Sequence, residues 1–134
     1  MKQLKKLQLE ISKYPQPEFD TRHYFADGMY CRELPRPKGA LIVGKVHKKE
    51  HFYIVASGDV TVYCDGDTTR IVGPKVMVYP VGSQRAVYAH TDATCITVHR
   101  CEKKDIEAVE AELVEEDSDS MYLPGNIVKP MVLK

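Results

Sequence analysis

At 134 residues, with hydrophobic side chains at 43% and 19 basic residues against 19 acidic ones, the chain has the size and core content of one globular domain. A formal net charge of zero, with no basic stripe interleaved with aromatics, argues against a nucleic-acid partner. No apolar run is long enough to span a bilayer and no charged-then-apolar leader opens the chain, so no membrane partner is expected and the cytoplasm of the producing cell is the expected location.

In chain order, Leu4, Leu7 and Ile11 recur at helical spacing with lysines between them, and Pro15 and Pro17 end whatever helix they form. Residues 1–21 are therefore expected to be a short amphipathic helix and a linker. The narrow apolar stripe is expected to dock on the following domain or a neighbouring subunit rather than on a membrane. Residues 22–101 change character: short runs of Val, Ile, Tyr and Thr are cut by Asp27-Gly28, Pro35 to Gly39, Ser57-Gly58, Asp65-Gly66-Asp67, Gly73-Pro74, Pro80-Val81-Gly82 and Thr91-Asp92. That rhythm predicts an all-β domain, an antiparallel sandwich or barrel. Val60, Val62 and Cys64 alternate with Thr61 and Tyr63 and so share a face, and Asp65-Gly66 supplies the positive φ angles of a tight hairpin.

Residues 102–134 turn helical again, with Ile106, Val109 and Leu113 at intervals of three and four among acidic residues and Asp105 as the N-cap. Beyond Asp117, Tyr122, Leu123, Ile127, Val128, Met131, Val132 and Leu133 stand between Pro124, Gly125 and Pro130. That segment is too apolar for an idle tail and is expected to pack on the β domain or on another subunit. Charge is segregated, with Lys2, Lys5, Lys6 and Lys13 at one end and Glu107, Glu110, Glu112, Glu115, Glu116 and Asp117 near the other. Both runs are expected to be solvated helix faces whose opposite signs favour subunit contacts, and a homo-oligomer is expected.

Cys31, Cys64, Cys95 and Cys101 form no C-x-x-C pair, so buried thiols are expected rather than a zinc ribbon or a redox site. The stretch from Gly39 to Gly58 carries the candidate chemistry. On an extended strand Lys45 and His47 share a face, and His51 opens the next strand after a turn, so two imidazoles are expected to converge inside the domain. Cys95, Thr97 and His99 alternate onto one strand face. Tyr53 and Glu50 extend the set toward acid/base chemistry, which requires hydrogen-bond reach between the groups. No Gly-rich phosphate loop, nucleophile elbow or zinc-protease helix is present.

The Gly39 to Gly58 stretch resembles the first motif of the cupin family: a glycine, five residues, His-x-His, three or four residues, a glutamate, six residues and a glycine. Lys45 and His47 stand at the two histidine stations and His51 at the glutamate station. Pro80-x-Gly82-x-x-Arg85 echoes the second motif, with Arg85 at the station of its last histidine. The resemblance implies a cupin-like jelly-roll β-barrel with short N- and C-terminal α-helices, its pocket lined by Lys45, His47, His51, Tyr53, Arg85 and His99.

Departures from the motif shape the functional expectation. Lys45 and Arg85 are cations where imidazoles would ligate, so no cofactor is expected. The alternative, one divalent transition metal on His47 and His51, would need His99, Cys95 or Glu50 as a further ligand. The expected function is a non-enzymatic binding or structural module. The alternatives are a metal-dependent or acid/base enzyme like the sugar epimerases and isomerases of the family, and an anion-binding pocket built on Lys45 and Arg85. The blocks His47 to His51, Pro80 to Arg85 and Tyr88 to Asp92 are similar to small cupin-like proteins encoded by tailed phages. That likeness implies a viral protein of the virion or the infection stage, with virion proteins as partners.

Overall fold

The computed structural model describes residues 2–14, 19–117, 120, 122–123 and 127–128. Helix α1 (Lys2–Ile11) precedes strands β1 (Arg22–Ala26), β2 (Met29–Arg36), β3 (Leu41–Val43), β4 (His51–Ser57), β5 (Asp59–Cys64), β6 (Asp67–Val72), β7 (Lys75–Tyr79), β8 (Arg85–Ala89) and β9 (Ala93–Arg100). Helix α2 (Ile106–Leu113) and a short hairpin of β10 (Tyr122–Leu123) and β11 (Ile127–Val128) follow. One antiparallel sheet has the order β1-β2-β9-β4-β7 and the other β3-β8-β5-β6.

Local chemistry sets the joints. Asp27 and Gly28 (φ 45° and 71°), and Asp65 and Gly66 (φ 52° and 84°), make two-residue turns that bring Ala26 opposite Met29 and Cys64 opposite Asp67. Alternation then decides what is buried: Val60, Val62 and Cys64 face inward from β5, and Tyr53 and Val55 from β4. With Leu34, Ile71, Val87, Ala89, Ala93 and Cys95 they form one core contributed by both sheets. Each fully buried aliphatic side chain there contributes roughly 1.5–3 kcal/mol.

The helices pack on the sheets. Leu4 of α1 is buried against Val43 and Ala86, with Leu7 and Ile11 beside it, so the apolar stripe docks on the outer face of the four-stranded sheet. Asp105 caps α2 by accepting from the Ala108 amide at 3.3 Å, and Val109 and Leu113 pack on Tyr30 and Cys101. All four cysteines are free thiols, three of them buried.

Four expectations change. The sheets share no strand pairing among the described residues, so the architecture is two facing sheets rather than a closed barrel. The chain from Gly44 to Glu50 is not a strand, because its backbone groups bond outward on two sides: His47 N to Ser83 O and Gly82 N to His47 O, then Lys48 N to Leu113 O and Glu115 N to Val46 O. The acidic helix is not uniformly solvated, since Glu110 is buried. Basic and acidic ends meet within one chain, where Lys5 Nζ lies 3.3 Å from Asp117 Oδ1 and Gln8 Nε2 donates to Asp117 Oδ2 at 3.0 Å.

Of the apolar C-terminal residues, Tyr122 is buried with Ile42 against Phe19 and Ile11. Pro15, Pro17, Pro124, Gly125, Pro130, Met131, Val132 and Leu133 lie outside the described residues. Among the described residues no helix is long and apolar enough to cross a membrane.

Candidate functional site

Strand alternation places a row of unusual residues on the inward side of β2: Tyr30, Arg32, Leu34 and Arg36. Register sets them opposite His99, Thr97, Cys95 and Ala93 of β9, and Tyr53 of β4 pairs with Thr97 in turn. Arg85 and Val87 face them from β8, paired with Cys64 and Val62. Between the sheets lies a cavity of about 80 Å³ whose wall includes Arg32, Arg36, Lys45, His47, Tyr53 and Arg85. Leu34, Ile42, Val43 and Val87 supply apolar wall, and Glu110 is the only carboxylate lining it among the described residues.

The cations differ in how they are held. Arg32 is neutralised: its Nη2 lies 2.5 Å from Glu110 Oε1, and its Nε donates to the Tyr30 hydroxyl at 2.8 Å. The Tyr30 hydroxyl is shared in turn with His23 Nδ1. Arg36 has no such partner. It is 8% exposed, its Nε and Nη1 make no hydrogen bond, and its guanidinium lies 4.7 Å from the Phe19 ring centroid. Arg85, 7% exposed, sits over the Tyr53 and Tyr79 rings at 4.4 and 4.8 Å. Neither Arg36 nor Arg85 forms an ion pair with a described residue. Burial lowers both guanidinium pKa values from the ordinary arginine value, yet arginine stays protonated in proteins.

From His47 on this wall, three imidazoles stack. The ring centroids of His47 and His51 are 4.2 Å apart, those of His51 and His99 4.7 Å, and those of His47 and His99 5.5 Å. Burial, then the nearby Arg85 charge, pushes His47 down to about 2 and His51 to about 4. Burial, then His51, pushes His99 to about 3. All three are uncharged at neutral pH. Tyr53 is pushed far above the usual phenol range by burial, so it too is uncharged.

The donor set does not fit the metal that the cupin resemblance implies. Arg85 Nη1 donates to His51 Nε2 at 2.7 Å, and His51 Nδ1 lies 2.9 Å from the Lys49 carbonyl, to which it must donate. Both ring nitrogens of His51 are thereby used, and its lone pair faces a permanent cation. Among the described residues no group of three His, Cys, Asp or Glu side chains is arranged to hold an ion.

The structure thus brings together the six residues expected at the pocket, but differently from the motif: Lys45, His47, Tyr53 and Arg85 line the cavity, while His51 supports Arg85 from outside the lining. His99 completes the stack from β9. Glu50 is exposed and does not line the cavity, and Cys95 is sealed in the apolar core. Arg85 bonds to His51, and no ion pair with Glu50 or Asp92 is formed. Sequence reasoning missed Arg32, Arg36 and Glu110. The signal was present for the arginines in the alternation Tyr30, Arg32, Leu34, Arg36, which puts two charges in register with two residues suited to a core.

No protein-family model matches the sequence, and no curated protein matches it. Solved structures do share its fold. The cupin domain of Schizosaccharomyces pombe Cnp3 is 15% identical, with 65% of this chain and 67% of that one covered at a TM-score of 0.55. A cupin superfamily protein from Desulfitobacterium hafniense is 9% identical, covering 70% and 87% at 0.55. Salicylate 1,2-dioxygenase from Pseudoaminobacter salicylatoxidans is 16% identical, covering 81% and 32% at 0.60. The chain therefore has a cupin-like fold. Its structural neighbours include an enzyme, and the fold alone assigns no activity.

Proposed function

We propose that this chain is a metal-independent binding module that takes a small anion between its two sheets. The observation that carries the reading is Arg36, a buried guanidinium on the cavity wall with two nitrogens, Nε and Nη1, that make no hydrogen bond. A charge at that depth without a partner is destabilising by several kcal/mol. A carboxylate or phosphate in the cavity offsets this through short, charge-assisted hydrogen bonds. Lys45 and Arg85, which also line the cavity, add to the positive field, and Glu110, the only lining carboxylate among the described residues, is matched by Arg32.

Thermal melts of the wild-type chain with sodium acetate, succinate, phosphate and sulfate at constant ionic strength test the reading. At a hundredfold excess over Kd the binding anion is expected to raise Tm on the order of 10 °C. The rise is expected to vanish in Arg36→Met, and no rise with any anion would refute the proposal.

Two further parts of the reading concern assembly and setting. Self-association is supported by the apolar outer face of the five-stranded sheet, where Val76 and Val78 are 60% and 58% exposed. A virion or infection-stage role is supported only by the likeness of three sequence blocks to phage-encoded proteins, and mass spectrometry of purified virions is its check.

A further inference from the structure

The cavity bounds the size of its occupant, and the two unpaired guanidiniums bound its shape. Resting on the anion reading above, we infer that the ligand is a compact dicarboxylate, with one carboxylate on Arg36 and the other on Arg85.

Arg36 ends β2 in the five-stranded sheet and Arg85 begins β8 in the four-stranded one, so the two approach the cavity from opposite layers. They stand against different aromatic walls, Arg36 over Phe19 and Arg85 over Tyr53 and Tyr79. The third arginine, Arg32, is already matched by Glu110. Unpaired guanidinium charge is therefore presented at two stations rather than in one cluster, which favours a ligand with two anionic ends. Each planar fork matches the geometry of a carboxylate.

The cavity suits a short carbon chain, since Leu34, Ile42 and Val87 line it. Tyr53, whose ring lies under Arg85, adds to the lining a buried hydroxyl with no hydrogen-bond partner. Size narrows the choice further. The cavity is about 80 Å³ and one water needs about 10–15 Å³, giving room for about five to eight water-sized groups. A three- to five-carbon diacid is on that scale, and a nucleotide is far above it.

The experiment is isothermal titration of the full chain with malonate, succinate and glutarate, beside acetate, propionate, butyrate and inorganic phosphate as one-ended probes. One diacid is expected to bind at least tenfold more tightly than every one-ended probe. Arg36→Met and Arg85→Met are each expected to remove that advantage, and Arg36→Lys and Arg85→Lys to keep part of it, with circular dichroism confirming folded protein. Equal binding of diacids and monoacids, or phosphate binding tightest, overturns the two-ended ligand while leaving an anion site in place. Failure of every anion to bind folded wild-type protein overturns the anion reading itself.

Discussion

Arg36 sits where a hydrophobic residue would stabilise the ligand-free fold better. Arg36→Met is expected to stabilise the free protein by on the order of 1 kcal/mol after the lost contact with Phe19 is counted, seen as a raised melting temperature. A lowered melting temperature would show that the guanidinium is structural. The stacked histidines make a second prediction. Their folded-state pKa values, about 2, 3 and 4 for His47, His99 and His51, lie below the ordinary 6.5. Below pH 6.5 the unfolded chain binds protons that the folded one refuses, so stability falls as the pH drops from 6.5 toward 4. Each imidazole adds about 1.4 kcal/mol per pH unit at most. Melts at pH 7 to 9 should show no contribution from these groups, and His99→Phe should flatten the acid limb. His47, His51 and Arg85 were legible from motif spacing, whereas Arg36 was not, because a strand arginine ordinarily reads as a solvent-facing residue.

Helix α2 is fastened to the sheet by a pair no local pattern reveals. Val109 and Leu113 were readable from periodicity and Asp105 from capping, yet Glu110 looked like one more solvated acid. Its partner, Arg32, lies 78 residues away, and only tertiary structure joins them. Glu110→Ala is expected to destabilise the fold by about 3–5 kcal/mol in chemical denaturation, because it strands a buried guanidinium. Adding Arg32→Met should recover most of that loss, a coupling that a double-mutant cycle measures. The glycine closing the first motif was likewise legible as a position but not as a reason. Gly58 has φ of 94°, and a Cβ there would stand 2.5 Å from the Ala93 Cβ and the Asp92 carbonyl. Strand alternation failed for Lys45 and His47, because their segment is bonded to residues 82–85 and 113–115 instead of continuing β3.

At the scale of the molecule, the outer face of the five-stranded sheet is apolar across β4, β7 and β9. Phe52 lies opposite Val78 and Val98, and Ile54 opposite Val76 and Ile96, all turned away from the core. Antiparallel sheets that meet water usually show polar residues on that side. Alternation in β4 separates the two sets without saying which is inside, so the surplus hydrophobicity was assigned to the helices and tail, although α1 spends its stripe on its own sheet. Light scattering is expected to show a dimer through the outer face, and Phe52→Lys with Val78→Lys to yield a monomer. A wild-type monomer at high micromolar concentration would contradict this. The cavity between the layers has a dynamic consequence. Because its opposing walls carry Arg36 and Arg85 on separate sheets with no strand pairing between them among the described residues, a guest gripped at both ends acts as a clasp, and amide hydrogen exchange in β2 and β8 should slow together when it is seated.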